Sequence, residues 1–251
     1  MLTDEELLRY SRQILLQQVD IDGQLKLKNS RVLIVGLGGL GSPVALYLAA
    51  AGVGELHLAD FDSVDLTNLQ RQIIHDTATV GESKVDSASH RLRLINPHIK
   101  LIAHRSALDA DSLADVVGAV DLVLDCSDNF ATREAVNRAC VAARKPLVSG
   151  AAIRLEGQLS VFDSRQSASP CYHCLYGHGS EEELTCSEAG VIGPLVGLVG
   201  SLQALEALKV LAGFGEPLVG RLLLIDALST RFRELRVKRD PACSVCGTGH
   251  E

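Results

Sequence analysis

One stretch, residues 31–41, constrains the fold of this chain more than any other. A short apolar run, residues 32–35, leads directly into glycines with the spacing Gly-x-Gly-x-x-Gly. After a strand and before a helix, such glycines permit a tight turn, a close approach of backbone to phosphate, and close helix packing. A helix predicted over residues 42–51 presents free N–H groups there, which favour an anion. The glycines of this turn are Gly36, Gly38, Gly39 and Gly41.

An acidic residue follows the second predicted strand. The apolar run over residues 55–59 ends at Asp60, and an acid at this point can accept hydrogen bonds from ribose hydroxyls. The turn and Asp60 together indicate a nucleotide without deciding which one. Such turns occur most often in oxidoreductases that use NAD or FAD, so this class of enzyme remains an alternative at this point.

The polar stretch over residues 61–74 departs from an ordinary dehydrogenase pattern. It directly follows Asp60, so its side chains should lie near a bound nucleotide, and an arginine such as Arg71 can pair with phosphate oxygens. Lys84 precedes a helix predicted over residues 85–94, where the helix dipole disfavours a cation unless an anion is near. The alternative interpretation for both residues is a solvated surface.

Asp128 falls on the same predicted rim of the sheet. It comes just after a strand predicted over residues 120–125, and ligands of open α/β sheets bind outside the carboxyl ends of the strands. A carboxylate facing phosphates needs a cation between them, and Mg²⁺ is the usual one. An N-cap for the next helix is the alternative role, and both roles are compatible.

The remaining pattern predicts an α/β fold: a Rossmann-like, doubly wound, mainly parallel sheet continued by antiparallel strands. Residues 1–251 are expected to form a single domain, with a helical arm over 1–30, a nucleotide-binding half over 31–150 and a second half over 151–251. Thr3 and Glu6 predict a capping box and a helix to about residue 16. Further strands are predicted over residues 99–103, 146–149, 158–163, 221–225 and 232–237, and helices over 110–117 and 131–143.

Cysteine spacing predicts a metal site. Two Cys-x-x-Cys pairs in a chain of 251 residues favour a Cys₄ zinc site, and four thiolates leave no open position for catalysis. A thioredoxin-like redox pair is the alternative. Cys186, in a polar segment before a long apolar stretch, has either a reactive or an incidental thiol. The predicted zinc ligands are Cys171, Cys174, Cys243 and Cys246.

Composition narrows the class of protein and its partners. A net charge of −7 does not favour binding to nucleic acid or to an anionic membrane surface. The acidic N-terminus does not resemble a signal peptide. Polar residues interrupt the apolar stretch over residues 190–213, which favours a buried core helix over a membrane span. Seven cysteines without a secretory signal indicate a reducing compartment, and hence the cytoplasm.

Together these motifs resemble the ThiF/MoeB/HesA group, relatives of ubiquitin-activating enzymes, over nearly the whole chain. Within the group, the molybdopterin branch is most similar through residues 149–154 and 156–158, and the thiamine branch comes next. The matching motifs are residues 9–13, 36–41, 60–62, 68–72, Lys84, residues 125–129 and both cysteine pairs.

The resemblance implies an ATP-dependent adenylyltransferase. Its substrate would be the C-terminal glycine carboxylate of a small ubiquitin-like sulfur carrier ending in Gly-Gly, made ready for thiocarboxylate formation. It implies a homodimer, ATP with Mg²⁺, structural Zn²⁺, and a sulfur donor acting in trans because the chain ends soon after Cys246. It implies that Asp60 binds ribose, that Arg12 reaches the phosphates from the other subunit, and that Asp128 holds Mg²⁺. It implies that Asn68, Arg71 and Lys84 bind the phosphates. The other nucleotide-binding residues it implies are Asp62, Gln72 and Asn129.

Two rival functions account for only part of this pattern. An NAD-dependent oxidoreductase explains the glycines and Asp60, but leaves Arg71, Lys84 and the paired cysteines without a role. A protein-binding module stabilised by zinc explains the cysteines, but it leaves the residues predicted to face the phosphates without a role.

Overall fold

The computed structural model describes residues 1–177 and 189–247. Within them, eight strands form a single sheet in the order β3-β2-β1-β4-β5-β6-β7-β8. The first five strands in this order are parallel, and the pairs from β5 to β8 are antiparallel. This arrangement confirms the predicted fold class. The strands are β1 Arg31–Val35, β2 Glu55–Ala59, β3 Lys100–His104, β4 Leu122–Asp125, β5 Pro146–Ile153, β6 Glu156–Asp163, β7 Arg221–Asp226 and β8 Arg231–Arg236.

Helices cover both faces of the parallel part. Val32 and Ile34 of β1 belong to one apolar core, whereas Leu33 between them belongs to the other. The strand is therefore buried on both sides, as parallel strands in α/β folds are. The helices are α1 Asp4–Arg9, α2 Ser11–Ile14, α3 Asp20–Asn29, α4 Gly41–Ala51, α5 Lys84–Ile95, α6 Ala110–Ala119, α7 Phe130–Ala142, α8 Tyr172–Tyr176 and α9 Gly193–Ala212.

The N-terminal arm differs from its prediction in one respect. Thr3 and Glu6 form the predicted capping box, with both reciprocal hydrogen bonds present. The helix does not continue to residue 16, however, because it breaks at Tyr10. Tyr10 is buried, and its hydroxyl accepts a hydrogen bond of 2.8 Å from Asn96 Nδ2. Tertiary anchoring of this ring, which no local pattern encodes, sets the position of the break.

Helix α9 lies in the core, as its interrupted apolar pattern predicts. By length and composition alone it could cross a membrane, but half of its most apolar window is buried inside the protein. It packs on α4, β5 and β6. Its buried polar side chains have protein partners: Gln203 donates to the carbonyl of Asp125, and Glu206 accepts from the backbone of Leu218. These contacts are those of a core helix.

Candidate functional site

A cavity of about 410 Å³ opens at the carboxyl ends of β1 and β4. These strands are neighbours in the sheet, yet the chain leaves β1 toward β2 on one side and β4 toward β5 on the other. Such a reversal leaves a crevice between the two connections, which is where open α/β sheets bind ligands. Most of the predicted site residues line this cavity: Gly36, Gly38, Gly39, Asp60, Asp62, Arg71, Gln72, Lys84, Asp128 and Asn129.

The glycine turn has the close contacts that its spacing predicts. Gly36 has a φ of +91°, and a Cβ there would lie 2.8 Å from the carbonyl oxygen of Cys126. A Cβ on Gly41 would lie 1.9 Å from the carbonyl oxygen of Gly36. Gly41 does not line the cavity. Because it has no Cβ, α4 can start directly against the turn. A side chain at either position would force the turn apart.

Asp60 supports the glycine turn as well as facing the cavity. Its Oδ2 accepts a hydrogen bond of 2.8 Å from the N–H of Leu37, and its Oδ1 accepts one of 2.9 Å from the N–H of Asp62. Each carboxylate oxygen has further lone pairs, so a ribose hydroxyl could still bind. The sequence indicated the ribose contact but not this structural one, which depends on where the turn lies relative to β2.

Lys84 and Arg71 supply positive charge at the polar end of the cavity. Lys84 is only 5% exposed, and its Nζ lies 2.9 Å from Oδ2 of Asp62. Arg71 is half-buried, and one of its guanidinium nitrogens donates to the carbonyl of Thr67 at 3.2 Å. A buried cation costs desolvation energy unless anions compensate it. The single exposed carboxylate of Asp62 leaves Lys84 able to attract a second anion.

Gln72 provides an acceptor that lacks a partner. Its side chain is buried and lines the cavity beside Gly38, and its Oε1 has no hydrogen-bond partner among residues 1–177 and 189–247. Buried polar atoms are nearly always paired with protein, water or ligand. An unpaired oxygen at this position therefore marks a place where a bound molecule or water would donate.

Asp128 and Asn129 divide the two roles that the sequence left open. Asn129 is the N-cap of α7, with its Oδ1 accepting from the N–H of Thr132 at 2.9 Å. Asp128 is exposed, lines the cavity, and has no side-chain partner in the described part of the chain. Its carboxylate is therefore available to a cation.

A buried network beneath Asp128 escaped the sequence analysis. Asp125 is fully buried and accepts hydrogen bonds from Ser127 Oγ at 2.6 Å and from Ser149 Oγ at 3.0 Å. Arg133 of α7 donates to the carbonyl of Ser127 at 3.0 Å. These bonds hold the loop that presents Asp128. An acid that ends an otherwise apolar strand was the available signal for Asp125.

Two predicted phosphate ligands do not line the cavity. Arg12 is exposed on α2, and Asn68 lies half-buried in the short 3₁₀ turn Leu66–Asn68. Within residues 1–177 and 189–247, the one side-chain contact of Asn68 is a long one, 3.4 Å from its Nδ2 to Thr67 Oγ1. The structure of one chain therefore brings together the glycine turn, Asp60, Arg71, Lys84 and Asp128, but not Arg12 or Asn68.

The two Cys-x-x-Cys pairs meet, as predicted. The Sγ atoms of Cys171, Cys174, Cys243 and Cys246 all lie within 4.8 Å of one another. Cys171 Sγ lies 3.8 Å from Cys174 Sγ and 3.7 Å from Cys243 Sγ, and the Sγ atoms of Cys174 and Cys246 are 3.4 Å apart. A tetrahedron with metal–sulfur bonds of about 2.3 Å has edges of about 3.8 Å. The cluster therefore has the size and the donor set to hold a metal ion.

His173 supports this cluster without joining it. Its Nδ1 lies 3.0 Å from Oε2 of Glu134 on α7, and its Nε2 lies 3.0 Å from Oγ of Ser244. Both ring nitrogens are thus engaged by side chains outside the cluster. The ring joins the two cysteine segments to the N-terminal part of α7, the helix that Asn129 caps.

The remaining cysteines have no catalytic setting within the described residues. Burial raises the pKa of the Cys126 thiol well above its ordinary value, and it raises the pKa of Cys140 in the same direction. Both are packed, inert thiols. Cys186 lies outside the described residues.

The comparisons with known proteins identify the family. The family model described as the ThiF family matches residues 10–245. The chain belongs to the ThiF family. This membership confirms the resemblance found in the motifs.

Several ThiF relatives are similar over nearly their whole length. Molybdopterin-synthase adenylyltransferase of Escherichia coli (strain K12) is 55% identical over 246 residues, covering 98% of both chains. The sulfur carrier protein ThiS adenylyltransferase of the same organism is 48% identical, covering 98% of this chain and 97% of the relative. A crystal structure of E. coli MccB with AMPCPP and MccA has a TM-score of 0.86 at 27% identity, covering 98% of this chain and 75% of that chain. Both of the E. coli relatives found by sequence are named as adenylyltransferases.

Proposed function

We propose that this ThiF protein adenylates the C-terminal glycine carboxylate of a small ubiquitin-like sulfur carrier, of the molybdopterin-synthase small-subunit type. The observation that carries the proposal is one cavity that combines a glycine turn, an acid after β2, a buried lysine and an unpartnered carboxylate. Each element suits one part of ATP with Mg²⁺, whereas an NAD-dependent enzyme would use the glycine turn and the acid and leave the lysine without a role. The 55% identity to a molybdopterin-synthase adenylyltransferase supports this carrier type.

The reaction needs positioning and positive charge rather than a protein nucleophile. A carboxylate oxygen of the carrier attacks the α-phosphate of ATP, the bond to the bridging oxygen breaks, and pyrophosphate leaves with its electron pair. Arg71 and Lys84 offset the charge that develops on the phosphates, and fixed cations in a cavity cost no reorganisation when it develops. The products are the acyl-adenylate and pyrophosphate, and the acyl-adenylate then awaits a sulfur nucleophile.

Asp128 would hold Mg²⁺. Its exposed carboxylate, on the rim beside the glycine turn, fits a cation that keeps several waters and binds phosphate oxygens. When bound, Mg²⁺ supplies charge neutralisation on the phosphates. The Asp125 network and Arg133 orient the loop that carries this ligand, and Asn129 fixes the start of α7 beside it.

The cysteine cluster would hold structural Zn²⁺. Four sulfur donors and neighbour distances near those of a tetrahedron suit zinc and leave no coordination position for substrate. The ion would fasten residues 243–246 to the start of α8. The cysteines in the described residues are free thiols, as a metal site in a reducing compartment requires.

The complete site requires two chains and an external sulfur source. Arg12 is exposed and does not line the cavity of its own chain, which supports a role across a homodimer. In this arrangement residues 1–30 form an arm toward the partner, 31–150 bind ATP, and 151–251 bind the carrier and zinc within a single domain. A sulfurtransferase or cysteine desulfurase supplies sulfur in trans, and the enzyme works in the cytoplasm.

Pyrophosphate exchange tests the proposal. Labelled pyrophosphate should enter ATP only when carrier and Mg²⁺ are both present. Exchange should be faster with a molybdopterin-synthase small subunit than with a ThiS-type carrier, and the opposite order would assign the chain to the thiamine branch. Calorimetry should show ATP–Mg²⁺ binding and no measurable NAD binding. Tighter binding of NAD than of ATP–Mg²⁺ would overturn the proposal.

A further inference from the structure

His75 lies directly beneath the glycine turn but does not line the cavity. Its side chain is buried, with 7% of the residue exposed. Its Nε2 lies 3.1 Å from the carbonyl oxygen of Leu37, inside the glycine turn, and its Nδ1 lies 2.8 Å from Oγ of Ser87 on α5. No motif in the sequence assigned this residue a role.

The partners of His75 determine its protonation. The carbonyl of Leu37 can only accept, so Nε2 carries the hydrogen and donates to it. In a neutral ring Nδ1 can only accept, so the hydroxyl of Ser87 donates to it, and Ser87 Oγ also lies 3.1 Å from Thr79 Oγ1. Burial is the main cause that lowers the pKa of His75, and Lys84 lowers it further, while the hydrogen bond to Leu37 and the carboxylates of Asp60 and Asp76 oppose the shift. The neutral ring is the form that this environment favours.

One imidazole thereby joins three segments that carry candidate phosphate ligands. It binds the glycine turn through Leu37, and it binds α5 through Ser87, one turn after Lys84. Its own backbone N–H donates to the carbonyl of Gln72 at 3.1 Å, and this bond connects His75 to the turn that contains Arg71. A shift of the ring would move these ligands relative to one another.

Leu37 is held from both sides. Its N–H donates to Asp60 Oδ2 at 2.8 Å, and its carbonyl accepts from His75 Nε2. With one side fixed by a carboxylate and the other by an imidazole, the peptide planes that flank this residue have a single orientation. Those planes set the direction in which the next N–H groups of the turn point, and these groups are the ones available to a phosphate.

We propose that His75 is a positioning residue for ATP, which holds the glycine turn in its phosphate-binding shape by donating a hydrogen bond to the Leu37 carbonyl. The inference rests on the proposed function, because it concerns the same nucleotide cavity. His75 touches no substrate and acts only through the turn.

Acid should weaken nucleotide binding through this residue. Protonation places a second positive charge near Lys84 and turns Nδ1 from an acceptor into a donor toward Ser87. Because the pKa of His75 is lowered in the folded protein, the unfolded chain binds more protons between that pKa and about 6.5. The stability contribution should therefore be intact above this window and be lost as the pH falls through it. The turn geometry should change at the lower edge of the window, where the ring of the folded protein itself is protonated.

Two amide substitutions separate the positioning hydrogen bond from packing. In His75→Gln the amide can donate from a position close to that of Nε2, whereas in His75→Asn the shorter amide can reach Ser87 but not Leu37. We expect the Kd for ATP–Mg²⁺ to stay within about threefold in the glutamine variant and to rise roughly 10- to 100-fold in the asparagine variant. Calorimetry gives the Kd, and the melting temperature and metal content check the fold. Equal affinities in the two variants would overturn the inference.

A pH series provides the second readout. ATP itself titrates in the same range, but its contribution is common to all variants. Between pH 7.5 and about 5.5 we expect a larger loss of ATP–Mg²⁺ affinity in the parent than in His75→Gln, because only the parent has an imidazole to protonate. Identical pH profiles would overturn the inference, and this comparison decides the matter even if His75→Asn does not fold.

His57→Asn is the matched control. His57 is also a buried histidine, 8% exposed, but it bonds Glu55 and His104 rather than the turn. Its loss should lower the melting temperature and leave the Kd for ATP–Mg²⁺ unchanged. If the parent itself fails to bind ATP, the proposed function fails. If the parent binds ATP and all variants match it, only the role of His75 fails.

Discussion

The nucleotide cavity and the cysteine cluster are built in opposite ways. The cavity collects side chains from segments far apart in sequence, and the protein's own hydrogen bonds hold most of them, as Asp60 and Lys84 show. The cluster joins two short local pairs whose sulfur atoms face one another. Thiolates packed this closely repel each other without a cation between them. The cavity is therefore preorganised by the fold, whereas the cluster depends on the ion it would hold.

The largest effect should come from breaking the cluster. Cys243→Ala should lose the metal and lower the melting temperature by more than about 10 °C, because ligation free energy of about 10–16 kcal/mol in structural zinc sites is coupled to folding. Metal analysis and thermal unfolding measure both changes. Cys140→Ala, which removes a buried thiol outside the cluster, should keep the metal. A metal-free Cys243→Ala protein with unchanged melting temperature and full activity would contradict the comparison.

Removing a cation from the cavity should affect activity and spare the fold. Lys84→Ala should lower carrier-dependent pyrophosphate exchange by about 10²- to 10³-fold, the usual effect of losing a group that stabilises developing charge. Its melting temperature should change little, because its partner Asp62 is exposed. Lys100→Ala, which removes an exposed lysine paired with Glu55, serves as the control. An equal loss in the two variants would argue against a role for Lys84 at the phosphates.

Mixing inactive subunits tests whether the cavity is complete in one chain. Arg12→Ala and Asp128→Ala proteins should each be inactive alone. If Arg12 acts across a homodimer, free exchange makes half of the dimers mixed, and each has one intact site, which restores about a quarter of the parent activity. Mass spectrometry of the intact dimers checks that subunits have exchanged. No recovery after confirmed exchange would place Arg12 outside the partner's site.

The smallest effect should come from Cys186. Adenylation needs an oriented carboxylate, phosphates and cations, and it has no use for a thiol. Cys186→Ala should therefore keep pyrophosphate exchange within about threefold of the parent, less than about 1 kcal/mol of barrier. A hundredfold loss in a folded, metal-loaded protein would place this thiol in the adenylation chemistry.

Local patterns in the sequence were sufficient for some features and insufficient for others. Sequence spacing was enough to predict the glycine turn, Asp60 and the cysteine pairs, because each has a fixed spacing that follows from one physical requirement. The break at Tyr10 and the hydrogen bonds of His75 depend on partners such as Asn96 and Leu37, which are distant in sequence. Only the packed structure brings these partners together, so no spacing rule can anticipate them.

The two roles of Asp60, one in the turn and one at the cavity, affect how genetic data on this protein are interpreted. The residue both faces the cavity and holds the backbone of Leu37, so an allele that changes it would alter the shape of the turn and the proposed nucleotide contact together. A loss-of-function phenotype at Asp60 therefore does not by itself report on ribose binding. Asn is the most informative replacement, because its amide oxygen can still accept from Leu37 while the negative charge is gone.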